Sequence, residues 1–257
     1  GTFTGTISIQ VDGATADVSA SASYRIMGDT LVSDDTRVFT PRNSDLTLRM
    51  LMPIPYVGIL GVSSNQAVTI YISRDGRIWN THMSGISGTP SFIAQNGQGS
   101  VLIGTYSSGM LFSGDGGVEW VEMVSPAGAD TTSCGTYFNG SYYVFAGSNV
   151  YVSPNGTTWA QTAASLSSGG YKYSAMEVNG VMYVFYNGGY HYTSDGVNWS
   201  SRTISGLAVD SEVAYVNNTF FATGGSASTY MTSADAITWT TRTWPEANSY
   251  VSITYSN

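Results

Sequence analysis

Three carboxylates, Glu177, Asp210 and Glu212, occupy positions where paired acids would do chemistry. Each falls on a run expected to form an innermost strand. Two carboxyl groups facing one another there could cleave a glycosidic bond or hold a divalent cation. A solvated channel lining or strand edge presents the same residues, and that reading is preferred. His82 and His191 stand far apart in the chain, each without a nearby cysteine or second histidine, which is not a zinc-ligand spacing. Cys134 is the one cysteine, so no intrachain disulfide forms, and in TTSCGTYF it reads as a buried strand thiol rather than a nucleophile. The glycines follow hairpin turns and never open a helix, so there is no phosphate loop. Neither histidine has the strand-to-helix setting of a serine triad. No enzymatic activity, cofactor or metal is expected from these residues.

The elements that must position them are set by a repeat. The stretch SRDGRIWN, residues 73–80, is a tight turn leading into a tryptophan, and four more copies follow: SGDGGVEW, SPNGTTW, TSDGVNW and SADAITW. Their tryptophans, Trp79, Trp120, Trp159, Trp199 and Trp239, are 41, 39, 40 and 40 residues apart. Only six tryptophans exist in the chain and five fall on this pattern, which makes it a structural repeat.

Residues 173–203 show the unit most clearly. Asn179-Gly180, Asn187-Gly188-Gly189 and Asp195-Gly196 divide them into four short runs rich in Tyr, Val, Met and Phe, the pattern of a four-stranded antiparallel meander. The copies on either side divide the same way, and no window has helical periodicity. About forty residues and four strands per repeat predict β-propeller blades, whose sheets pack face to face around an axis. The third strand then needs apolar residues on both faces. One face carries Ile70, Ile72, Met110, Phe112, Val150, Val152, Tyr190, Tyr192, Tyr230 and Thr232, and the other Tyr71, Leu111, Tyr151, His191 and Met231.

These turns resemble the Asp-box, or BNR, repeat, Ser/Thr-x-Asp-x-Gly-x-x-Trp. The copy Ser113, Asp115, Gly117, Trp120 matches fully. Ser73, Asp75, Gly76, Trp79 and Thr193, Asp195, Gly196, Trp199 run one residue shorter, as do Ser233, Asp235, Trp239, while Ser153, Asn155, Trp159 replaces the acid with an amide. The resemblance implies that each box links the third and fourth strands. Its side-chain oxygens would accept turn N–H groups, its Gly would take positive φ, and its Trp would fill the space between blades. The best-known Asp-box proteins are sialidases, whose chemistry needs three convergent arginines, a Tyr–Glu pair and an acid/base Asp. Here Arg25, Arg37, Arg42 and Arg49 precede the ring, Arg74 and Arg77 sit in a box turn, and Arg202 and Arg242 occupy equivalent repeat positions. That distribution argues against sialidase activity.

The expected fold is an all-β, five-bladed propeller over residues 46–257. The blade ending at Trp79 lacks an obvious first strand, and the C-terminal segment Ser249–Asn257 is expected to supply it and close the ring. Residues 1–45 stand outside the repeat. They begin with an expected hairpin around Asp12-Gly13 and read as a β-rich arm or docking module, with a degenerate sixth blade as the alternative.

Composition narrows the partners. The chain has 257 residues, 42% hydrophobic and 13% aromatic, which is ample core material. A net charge of −8 opposes binding to nucleic acid or anionic membrane. No apolar run is long enough to cross a membrane as a helix, and the first residues lack the pattern of a signal peptide. Asn-x-Ser/Thr sequons begin at Asn139, Asn155, Asn198 and Asn217, but the first two are also Asn-Gly turns. Low charge, a single lysine (Lys172) and abundant Gly, Ser, Thr and Tyr are the look of an extracellular or virion-surface protein. A looser resemblance to phage tail or head appendages points the same way. The functional expectation is a non-enzymatic recognition or display module whose partner is a glycan or other surface receptor, with the arm available to engage other subunits. A purely structural decoration subunit is the alternative, and a glycan hydrolase the second.

Overall fold

The computed structural model describes residues 2–11, 14–27, 30–33, 48–54, 58–64, 68–73, 80–106, 109–128, 132–166, 172–207, 213–223 and 229–244. The chain divides into two compact units, Gly1–Asp45 and Leu46–Asn257.

The first unit holds a three-stranded antiparallel sheet of Thr2–Val11, Ala14–Met27 and Thr30–Ser33. Val11 pairs with Ala14 across the two-residue Asp12-Gly13 link, and the ladder runs unbroken to Thr2↔Ser23.

Among its described residues, the second unit contains five four-stranded antiparallel sheets, each a meander in chain order. These are the blades of a β-propeller. The first is Leu48–Ile54, Gly58–Ser64, Val68–Ser73 and Asn80–Met83, and the second is Pro90–Gln95, Val101–Thr105, Gly109–Ser113 and Val121–Val124. The third is Thr132–Phe138, Ser141–Ala146, Asn149–Ser153 and Ala160–Ser165, and the fourth is Lys172–Val178, Val181–Tyr186, Gly189–Thr193 and Ser200–Thr203. The fifth is Val213–Val216, Thr219–Thr223, Thr229–Ser233 and Thr240–Thr243.

Local chemistry accounts for the meander. Between first and second strands, Asn139-Gly140 has φ of 45° and 81°, and Asn179-Gly180 has 52° and 77°. Two consecutive positive φ values are the two-residue turn whose twist matches a hairpin, and Asn and Gly reach them at least cost. The fifth blade uses Asn217-Asn218 instead, at 48° and 58°.

One expectation is corrected. The first blade does not lack a first strand, because Leu48–Ile54 holds that place and pairs with the second strand from Leu48↔Ser63 to Ile54↔Gly58. Its signal is obscured in the sequence by Pro53 and by a following PYV link with no Asn-Gly. Proline is tolerated because this strand stands at the edge of its sheet, where a missing N–H breaks no internal ladder. The segment Ser249–Asn257, expected to take that place, lies outside the described residues.

Among the described residues, the second, third and fourth blades are covered on both faces. One core joins Leu60, Val62 and Ile70 of the first blade to Ile93, Ile103 and Leu111 of the second. The opposite face of the second blade, with Phe92, Leu102 and Met110, packs on Tyr142, Val144 and Tyr151 of the third. Phe145 and Val150 then meet Met182 and Val184 of the fourth, whose Phe185 and Tyr190 meet Phe220 and Met231 of the fifth. Burying each large side chain of this kind contributes about 1.5–3 kcal/mol. The four cores are thus alternate faces of successive sheets, which is why the strands read as nearly continuous apolar runs.

Candidate functional site

The described box turns, in the second to fifth blades, each link a third strand to a fourth. In the second blade Ser113 Oγ donates to Asp115 Oδ1 (2.8 Å) and accepts from Gly117 N–H (2.7 Å). Asp115 Oδ1 also accepts from Val118 N–H and Glu119 N–H, each at 3.0 Å. In the fourth blade Thr193 Oγ1 donates to Asp195 Oδ1 (2.9 Å) and accepts from Gly196 N–H (2.9 Å). The backbone N–H groups of Val197 and Asn198 donate to Asp195 Oδ1 at 2.8 Å, and Asn198 Nδ2 donates to Oδ2 at 2.7 Å. Ser233 and Asp235 repeat the scheme, with the N–H groups of Ile237 and Thr238 at 2.7 Å. Asn155 substitutes its amide oxygen, which accepts from Thr157 and Thr158 N–H at 3.0 and 2.8 Å, while Ser153 Oγ takes Gly156 N–H.

These bonds hold the carboxylates below their ordinary range. Asp195 is lowered chiefly by the Asn198 side-chain amide, Asp115 by the Glu119 backbone N–H and Asp235 by the Thr238 backbone N–H. In the described boxes Asp115 and Asp195 use both carboxylate oxygens within their own turns and Asp235 uses Oδ1, so these acids serve local geometry. The tryptophans lead inward: Trp120, Trp159, Trp199 and Trp239 each pack against the core shared with the preceding blade. Of the first box, Ser73 is buried, and Asp75, Gly76 and Trp79 lie outside the described residues.

The other candidates are dispersed. Glu177 is exposed, and its Oε1 accepts the N–H of Gly180 at 2.6 Å, closing its own hairpin; Asp210 and Glu212 lie outside the described residues. His191 is buried against Tyr186, with ring centroids 4.7 Å apart, and Cys134 is buried in the core between the third and fourth blades. Arg202 and Arg242 stand exposed on the fourth strands of adjacent blades.

A cluster that sequence reasoning did not single out lies between the fourth and fifth blades. Tyr183, Tyr192 and Tyr215 are each half-buried at the rim of that core. Tyr183 stacks on Tyr192 with centroids 6.4 Å apart and planes at 24°, and both Tyr183 and Tyr215 meet Phe220, at 5.3 and 4.6 Å. Burial raises the Tyr183 hydroxyl, and the nearby hydroxyls of Tyr192 and Tyr215 add to the shift. Register makes the cluster stand out. Tyr183 pairs with Tyr192 as Tyr143 pairs with Val152 and Leu102 with Phe112. Counting back from the first hairpin, Tyr215 occupies the place of Glu177 and Tyr137. Only this described interface has tyrosine at all three places. The result is a partly exposed aromatic surface bearing three hydroxyls, close to the box turns.

A groove of about 560 Å³ opens between the first and second blades, walled by Asn80, Thr81, His82, Gln98 and the Asp115 box turn. The box beside it is the long one. Its additional residue places Gly116 and Gly117 in succession at φ of 82° and 87°.

Comparison with known proteins bears on the fold. No curated protein matches this chain. A streptogramin B lyase structure is similar with a TM-score of 0.67 at 9% identity, covering 95% of this chain and 88% of that one. Selenomethionine-substituted virginiamycin B lyase from Staphylococcus aureus has a TM-score of 0.59 at 11% identity over 84% of each chain. YCF48 from Cyanidioschyzon merolae has a TM-score of 0.51 at 15% identity, covering 71% of this chain and 67% of that one. At such identities the likeness is one of architecture. Residues 136–257, which take in most of the third blade and the fourth and fifth, match the DUF6242 beta propeller domain.

Proposed function

We propose that this propeller is a non-enzymatic recognition module of an extracellular or virion surface and that its ligand is a carbohydrate. The observation that carries the reading is the Tyr183–Tyr192–Tyr215 cluster. Tyrosine faces stack on the C–H side of a pyranose ring, and their hydroxyls both donate to and accept from sugar hydroxyls. Half-burial already orders these side chains, so a ligand meets a preformed surface and less conformational entropy is lost on binding. The box carboxylates of these two blades, Asp195 and Asp235, are engaged within their turns, which favours binding over acid–base chemistry.

The test is a glycan array probed with the full chain, followed by titration of any hit against Tyr192→Ala and Tyr215→Ala. Specific binding, weakened at least tenfold by either change with the unfolding midpoint nearly kept, is expected. An array without signal, or a hit indifferent to both changes, overturns the reading.

A second reading is favoured by the separate sheet of Gly1–Asp45, which forms its own compact unit. It would dock the propeller on another subunit, making the module a decoration of a larger assembly. Assembly on a particle that is lost when residues 1–45 are deleted, with no glycan bound, would favour this alternative.

A further inference from the structure

We infer that the groove between the first and second blades is a second binding site, for a neutral hydroxyl-rich group such as a single saccharide residue. It rests on the carbohydrate reading for its ligand class and differs from it in place. Asn80, Thr81 and Gln98 offer amide and hydroxyl groups from two different blades. Gly99, Gly114, Gly116 and Gly117 line the groove without side chains, and of these Gly114 is exposed. At Gly99 an added Cβ would meet nothing within 4 Å, so open space lies against the backbone there. His82 adds an unmet demand. Its Nε2 is buried with no hydrogen-bond partner among the described residues, and its ring is held near Trp120 at a centroid distance of 6.3 Å. A buried polar atom of this kind calls for a partner, and a hydroxyl entering the groove that His82 walls would supply one with a small rotation of the imidazole.

Charge sets the ligand class. Among the described residues, the carboxylate in the wall is Asp115, with Glu119 in the same turn and Glu122 on the next strand, where its Oε1 accepts the N–H of Gly85. An anionic sugar would meet a negative field. Asp115 already accepts three backbone and hydroxyl donors at Oδ1, so it leaves little for a cation to replace. Adjacent neutral hydroxyls fit the alternating donors and acceptors that remain.

The chain has two histidines, which makes the test direct. With histidine-labelled full-length protein, imidazole NMR signals are followed during titration with methyl glucoside, galactoside, mannoside and N-acetylglucosaminide, and with glycerol as the free-polyol arm. A saturable shift of the His82 signals at millimolar sugar is expected, while buried His191 stays still. Gly114→Gln is the blocking variant. Position 114 has ordinary φ and room for a Cβ, and its counterparts are Arg74, Pro154, Ser194 and Ala234, so the fold tolerates a side chain there. This variant should keep the unfolding midpoint and lose the His82 response by tenfold or more. A response to glycerol equal to that of the sugars would replace a glycan terminus by a free polyol as the ligand. The proposal is overturned if no compound moves His82 saturably, or if Gly114→Gln binds as the parent does. Array binding that Tyr192→Ala removes, with no saturable shift of His82, would sink the groove alone, whereas an array without signal would sink the tyrosine reading whatever His82 does.

Discussion

Trp199 meets Phe145 edge-on, with ring centroids 6.0 Å apart and planes at 85°, and so carries the box turn of the fourth blade into the core of the third. Trp239 stands to Phe185 in the same way, at 6.3 Å and 82°. The edge-to-face pair sets the positive rim of one ring against the negative face of the other. Repeated one blade on, it ties the boxes of the fourth and fifth blades to the blades before them.

Removing the fully buried member should be costly. Phe145→Ala leaves a void between the third and fourth blades, at about 3–5 kcal/mol. Urea unfolding followed by tryptophan fluorescence measures it. A loss below about 1 kcal/mol would show that this contact is not a structural tie.

Acid should weaken the protein through its boxes. The carboxylates of Asp115, Asp195 and Asp235 are lowered in the folded state from the ordinary value of 3.8. Depressed values mean that their stabilisation is present above the unfolded pKa and disappears as pH falls through the folded values. Asp195→Asn should therefore lower the unfolding midpoint at pH 7, with the gap from the parent closing as pH drops below about 4. Asn155 shows that the turn accepts an amide at this place. A gap unchanged from pH 7 to pH 2 would refute the carboxylate's part.

Hairpin chemistry offers a stabilising change. Asn218 has φ of 58° where Gly140 and Gly180 stand in the third and fourth blades. Asn218→Gly should raise stability by up to about 1 kcal/mol, read as a higher melting temperature. A lower one would mean that the Asn218 side chain makes a contact that outweighs the backbone gain.

Gly196→Ala should do the reverse. Gly196 has φ of 76°, and a Cβ there would collide with the Tyr143 hydroxyl of the preceding blade. Backbone strain of about 1–2 kcal/mol adds to displacement of Tyr143, and differential scanning calorimetry should show a clear drop. The fifth blade has Ala236 at the equivalent place with φ of 59°, where Tyr190 Oη donates to its carbonyl at 2.9 Å. Unchanged melting of Gly196→Ala would show that Tyr143 can retreat as easily.

The sequence by itself determined the blade pattern. Asn-Gly turns, box turns and alternating strands are chosen over a few residues, by φ preferences and by side-chain oxygens that reach their own backbone, so they can be read from order alone. The first strand of the first blade escaped because it is defined by what it pairs with, and its Pro53 and PYV link give no turn signal. The tertiary structure alone decided the rest. Tyr183 and Tyr215 belong to different sheets, and the groove combines Asn80–His82 with the turn at Asp115. Such neighbours meet only when sheets stack, because interblade packing selects register and face, which residue types at a fixed repeat spacing do not specify. Composition pointed to many tyrosines, and stacking decided which three share a surface.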